Sequence, residues 1–246
     1  MYKKARYLPA GDKGIVVEFG STIKTQINQK VRSMFLALEQ CQLPGILELV
    51  PTYRSLMVFY DPLVWEFNKL LVELEKIEAS LASFKLPKPR VNLLPVVYGG
   101  EHGPDFQFVC QYTKLTPEEI IRIHTSTDYL IYMLGFTPGF PYLGGMDERI
   151  AVPRLEVPRT KIPVGSVGIA GSQTGVYPIE SPGGWQLIGR TPVRLYDPSR
   201  TPPFLLQAGD YIRFYQVSSE EYQEIAQQVE KKRYILKTLD YVEKRS

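Results

Sequence analysis

Apolar side chains recur every third or fourth residue between Thr25 and Cys41, at Ile27, Val31, Met34, Leu38 and Cys41. That spacing predicts an amphipathic helix, stopped by Pro44-Gly45. A second stripe, Phe67, Leu70, Leu71, Leu74, Ile77 and Leu81, predicts a helix over about 64–84. Around them, β-branched runs at 14–19, 46–50 and 56–60 have the length and punctuation of strands. The resulting β-α-β-β-α order, followed by a strand near Asn92 to Tyr98, is the split βαβ or ferredoxin-like arrangement. Lys85-Leu86-Pro87-Lys88-Pro89 is a short, stiff connector, so residues 1–90 are expected to form one α/β domain.

The texture then changes. Thr116-Pro117-Glu118-Glu119 opens a helix with a threonine cap, a first-turn proline and first-turn acids. Asp128 and the run from Tyr129 to Leu134 read as a strand. Between Gly135 and Pro203, glycine and proline recur every few residues among short β-branched runs, a density of breakers that no helix tolerates. This half is expected to be all-β, a closed barrel over residues 91–217. Ser218-Ser219-Glu220-Glu221 starts a last helix, so 218–246 reads as a C-terminal helix and tail. The fold class expected is α+β.

Composition narrows the function classes. The 246 residues are 44% hydrophobic and 22% charged, with a net charge of only +3, too little and too dispersed to argue for nucleic acid or an anionic membrane. Lys231-Lys232-Arg233, the densest basic spot, lies among glutamates and reads as a solvated helix face. Two cysteines, Cys41 and Cys110, make no CxxC pattern, which fits a reducing cytosol rather than a disulfide scaffold. No signal peptide or membrane-length apolar run is visible, and the reading is a cytoplasmic protein. With only His102 and His124, a histidine-rich metal site is excluded.

Familiar catalytic motifs fail on inspection. Gly184 to Thr191 imitates a phosphate loop with Arg190 in the lysine position, but its intervening residues are bulky and a strand follows instead of a helix. Gly165-Ser166-Val167-Gly168 lacks the spacing of a nucleophile elbow. What remains is a concentration of polar groups in glycine-rich loops: Arg159, Gln173, Thr174, Tyr177, Ser181, Trp185, Arg190 and Thr191. An arginine fork grips carboxylate or phosphate, and amide and hydroxyl groups suit a small amide or lactam. The alternative is that the glycines turn barrel corners and Trp185 is core. His124 reads either as a helix-end histidine bonded to the next loop or as a pocket histidine.

These residues carry a family resemblance. Gly135-Phe136-Thr137-Pro138-Gly139-Phe140-Pro141-Tyr142-Leu143-Gly144-Gly145 resembles the GFxPGFPYLGG signature of the KipI family, also called the 5-oxoprolinase B-subunit family or the allophanate hydrolase subunit 1 type. The likeness continues through Pro163 to Gly171, Gln173 to Pro178 and Ser181 to Pro192. His102 stands where an aromatic residue is usual, and so is not read as catalytic. The resemblance implies a ferredoxin-like N-terminal domain and a cyclophilin-like β-barrel C-terminal domain. It implies one component of a complex that hydrolyses 5-oxo-L-proline to L-glutamate with ATP, paired with a 5-oxoprolinase C-subunit homologue and a third, A-type component. ATP would serve the complex without a site legible in this chain, and no metal or biotin is evident. The same family implies an alternative, inhibition of a sensor histidine kinase. Candidate substrate-binding residues are His124, Arg159, Gln173, Thr174, Tyr177, Ser181, Trp185 and Arg190; the catalytic residues are unassigned.

Overall fold

The computed structural model describes residues 1–242, so the last four positions of the expected tail lie outside the described residues. The chain divides into two compact units, Met1–Pro87 and the part from Lys88 onward.

The first unit is a four-stranded antiparallel sheet with two helices. Its strands are β1 (Arg6–Pro9), β2 (Gly14–Glu18), β3 (Ile46–Pro51) and β4 (Ser55–Tyr60), and its helices α1 (Thr25–Cys41) and α2 (Phe67–Ser80). Sheet order is β1-β2-β4-β3. Alternation fixes the buried face: Leu56, Val58 and Tyr60 of β4 and Ile15 and Val17 of β2 all point into one core. The helices complete it with Ile27, Val31, Met34 and Leu38, and with Leu70, Leu74 and Ile77. Three expectations change. Cys41 is exposed, because α1 ends there and Gln42 turns left-handed at φ 45°. The second helix is shorter than 64–84, since its last turn, Leu81–Ser83, is a separate 3₁₀ turn. The strand at 92–98 does not join this sheet; β1, antiparallel to β2, occupies that edge.

The second unit is a nearly closed barrel. It contains β5 (Arg90–Tyr98), α3 (Phe106–Thr113), α4 (Pro117–Thr125), β6 (Tyr129–Leu134), β7 (Pro141–Gly144), β8 (Arg159–Ile162), β9 (Ser166–Ala170) and β10 (Gln173–Val176). β11 (Ser181–Gly183), β12 (Gln186–Arg190), β13 (Tyr211–Gln216), α5 (Ser219–Glu230) and β14 (Thr238–Asp240) follow. The sheet runs β10-β9-β12-β5-β13-β6-β7, with β14 also on β5, and its two end strands β7 and β10 lie against each other. β5 and β13 are parallel, Val91 facing Tyr211, within an otherwise antiparallel path. A single core fills the interior with Leu94, Val96, Ile131, Val167, Ile169, Ile188, Ile212 and Phe214. A separate ribbon, β8 with β11, carries the glycine-rich segment. Thr116 and Ser218 both form complete capping boxes, with Glu119 and Glu221. No helix among the described residues is long and apolar enough to cross a membrane.

Candidate functional site

The loop between β6 and β7 folds on itself. Phe140 N–H donates to Thr137 O and Gly135 N–H to Phe140 O, while Phe136 is held at φ 63°. This geometry drives the Phe140 ring inward and leaves Phe136 largely exposed. Phe140 meets Tyr142, Tyr177 and Trp185 edge-on, at ring separations of 5.3, 5.6 and 5.7 Å. Such edge-to-face contacts set a positive ring edge against a negative face. Ile162, Ala170 and Leu187 close the cluster around them. Gly183 is required here, since a Cβ on it would lie 2.4 Å from the Tyr177 hydroxyl. Burial pushes the Tyr177 phenol up to about 12, against the opposing pull of Arg154, the Trp185 N–H and Arg159.

Arg159 stands beside this cluster. Its Nη2 donates to Asp105 Oδ1 at 2.7 Å, and Asp105 Oδ2 accepts from Leu187 N at 2.7 Å. One arm of the guanidinium is thus fixed to the start of α3 and to β12. Nη1 is buried with no partner, as are Ser181 Oγ and Thr137 Oγ1 on the neighbouring ribbon and loop. Arg190 sits differently. Its Nε donates to Val164 O at 2.8 Å, bracing the turn in which Gly165 N–H reaches Tyr177 O.

His124 and Thr174 come together, but inside the barrel. The imidazole is fully buried and stacks on Phe214 at 4.5 Å. Thr174 Oγ1 donates to Gly168 O, so it accepts from His124 Nε2–H at 2.9 Å, and Nδ1 accepts from the Tyr98 hydroxyl at 2.7 Å. Each hydrogen in this sequence of bonds has one acceptor, and the ring is neutral. Desolvation takes its pKa down to about 3. His124 lies at the end of α4, as the sequence places it, but its ring bonds to Tyr98 of β5 and Thr174 of β10 rather than to the loop that follows the helix. Gln173 is half-buried at the start of β10. His102 packs on Tyr222 at 4.7 Å.

The candidate residues therefore fall into three groups: Tyr177, Trp185 and Arg159 around Phe140; Arg190 on the adjoining turn; and His124 with Thr174 in the core. Sequence reasoning missed Asp105, whose only signal was its place in the Gly103-Pro104-Asp105 turn. Among the described residues, no group of three or more His, Cys, Asp or Glu side chains is placed to hold a metal ion. The segment that imitates a phosphate loop forms β12, with no helix after it, so it offers ATP no cradle.

Residues 5–206 match the family described as carboxyltransferase domain, subdomain C and D. The fold is that of the corresponding part of K. lactis urea amidolyase, with a TM-score of 0.77 at 23% identity over 96% of this chain and 16% of that one. The 5-oxoprolinase B subunit of Bacillus subtilis (strain 168) is 46% identical over 224 residues, 86% of this chain and 92% of that one. The B subunit of Haemophilus influenzae 5-oxoprolinase is 44% identical over 207 residues, 84% of this chain and 95% of that one. The chain belongs to the 5-oxoprolinase B-subunit family.

Proposed function

We propose that this chain is the B subunit of an ATP-consuming, heteromeric cytoplasmic 5-oxoprolinase that opens 5-oxo-L-proline to L-glutamate. The carrying observation is the 46% identity to a B subunit of that enzyme, spanning 92% of the relative. In this reading residues 1–90 form a ferredoxin-like domain whose last strand is supplied by β1, residues 91–217 form a cyclophilin-like barrel, and 218–246 form a helical extension. Homologues of the enzyme's C and A components complete the assembly.

The chemistry favours such a division of labour. A lactam is a poor electrophile, and transfer of a phosphoryl group to its amide oxygen makes the carbonyl open to water. This chain's part is to bind and orient. Arg159, held at one arm by Asp105, keeps its second arm unpaired, and its charge is felt by the Tyr177 phenol, a combination suited to a carboxylate or an amide oxygen. Trp185 belongs to the same cluster, Ser181 pairs with Ile162 at its edge, Gln173 is assigned to it from the start of β10, and Arg190 steadies the adjoining turn.

Reconstitution tests this. The purified chain with ATP and 5-oxo-L-proline should release no glutamate, and addition of the C and A homologues should restore turnover. Sizing chromatography should show a joint peak with the C homologue, burying more than ~1,000 Å². Turnover by the lone chain, or capture of a sensor kinase in place of the C homologue, would defeat the reading.

A further inference from the structure

A cavity of about 370 Å³ lies between the segment after β12 and the C-terminal end of α5, away from the aromatic cluster. That volume is within the range of small-ligand pockets, about 300–1,000 Å³. Its apolar wall is Val193, Leu205, Leu236 and Tyr234. Its charged rim is unbalanced, because Arg194, Arg200 and Lys232 face one carboxylate, Asp197.

The three cations are not equivalent. Arg200 is committed to the protein, donating to the carbonyls of Arg194, Leu195, Pro202 and Pro203. Arg194 is exposed, and its guanidinium makes no hydrogen bond or ion pair among the described residues. Lys232 donates to Ser199 Oγ at 3.2 Å, and Ser199 Oγ donates to Asp197 Oδ1 at 2.7 Å. Two of the ammonium's three protons are thus left for another acceptor.

Lys232 is also held in the left-handed backbone state, as Gln42 and Lys114 are at the ends of α1 and α3. α5 ends in a Schellman motif, with Arg233 N–H reaching Gln228 O and Lys232 N–H reaching Val229 O. The residue at its turning point is normally glycine; here Lys232 occupies it at φ 55°. Strained positions of this kind concentrate where a side chain has a task. In this one the strain puts an ammonium on the rim of a cavity already rich in positive charge.

We propose that this cavity binds a phosphate monoester with a small apolar or aromatic body. The fork of Arg194 and the ammonium of Lys232 take the dianionic phosphate, whose charge matches the surplus of two. The wall of Val193, Leu205, Leu236 and Tyr234 takes the body. The site stands apart from the proposed lactam chemistry and does not depend on it.

The full chain should be titrated calorimetrically at low ionic strength with phenyl phosphate, and with inorganic phosphate, benzoate and phenol as controls. Phenyl phosphate should bind saturably, at least about tenfold tighter than any control, and more weakly as salt is added. Lys232→Gly and Arg194→Gln should each weaken it roughly fivefold or more, and the double variant should abolish it. Lys232→Gly suits the left-handed position better than lysine, so its melting temperature should hold or rise while binding falls. Absence of saturable binding overturns the proposal. So does undiminished binding by the folded double variant, or equal affinity for benzoate.

Discussion

His124 shows how much a single side chain can be decided by its surroundings. With a folded pKa near 3 and an unfolded value near 6.5, the imidazole stays neutral in the fold at a pH where the open chain takes up a proton. Its contribution to stability is therefore complete above about pH 6.5 and drains away as pH falls toward 3, on the order of a few kcal/mol at the limit. Imidazole nitrogen shifts should stay those of the Nε2–H tautomer down to about pH 4. A midpoint near 6.5 would show that solvent reaches the ring. The sequence marked His124 as a chemical candidate from its place near the end of the helix opened by Thr116. That Thr174, fifty positions on, would accept the hydrogen bond of its Nε2–H was not readable, because the pairing is made by barrel closure. Arg159 calls for a different test. Lysine at this position can still meet Asp105 but has no second arm. Arg159→Lys in the reconstituted assembly should lower kcat/KM at least about tenfold, roughly 1.4 kcal/mol, with Tm little moved. A Tm that falls together with activity would make Arg159 a brace.

At the scale of elements, capping chemistry and helical stripes were legible, and short or context-made elements were not. α1, α4 and α5 announce themselves through three- and four-residue spacing or through Thr116 and Ser218. β1 is four residues long and ends in proline, too little for alternation to register. α3 reads Phe-Gln-Phe-Val-Cys-Gln-Tyr-Thr, a strand-like composition, and its N-cap Asp105 gives its carboxylate to Arg159 and Leu187 rather than to the helix. Tertiary burial of Phe106 and Val109 overrides that local preference. The bulge in β12 makes a sharper claim. A Cβ at Gly189 would lie 2.5 Å from Val97 O in β5. Gly189→Ala should force the two strands apart and cost about 1–3 kcal/mol in urea unfolding. An unchanged midpoint would mean that this junction is looser than its geometry.

At the scale of the whole molecule, each unit has its own core, the first built from residues no further along than Phe84. A fragment of residues 1–87 should fold alone, with a cooperative melt and dispersed amide resonances. A collapsed, non-cooperative fragment would contradict the division. The division was foreshadowed by the prolines at 87 and 89, but the strand just beyond them was read with the first sheet, because its true mate is parallel and lies about 120 positions further along the chain.

That mate is β13, and the distance has a cost in time. The Asp210 carboxylate accepts from Arg90 N–H across 120 positions, and six β5–β13 pairs follow in register. The barrel cannot close until its two ends have found each other. The loop entropy for that search must be met before the pairing returns anything. Refolding from denaturant should therefore run in two stages, a fast one for the locally wired first unit and a slower one for the barrel. During the interval β5 and β13 are unmated strands, able to pair with another chain. Recovery of native protein should consequently decline as refolding concentration is raised, even at concentrations where the folded state is fully stable.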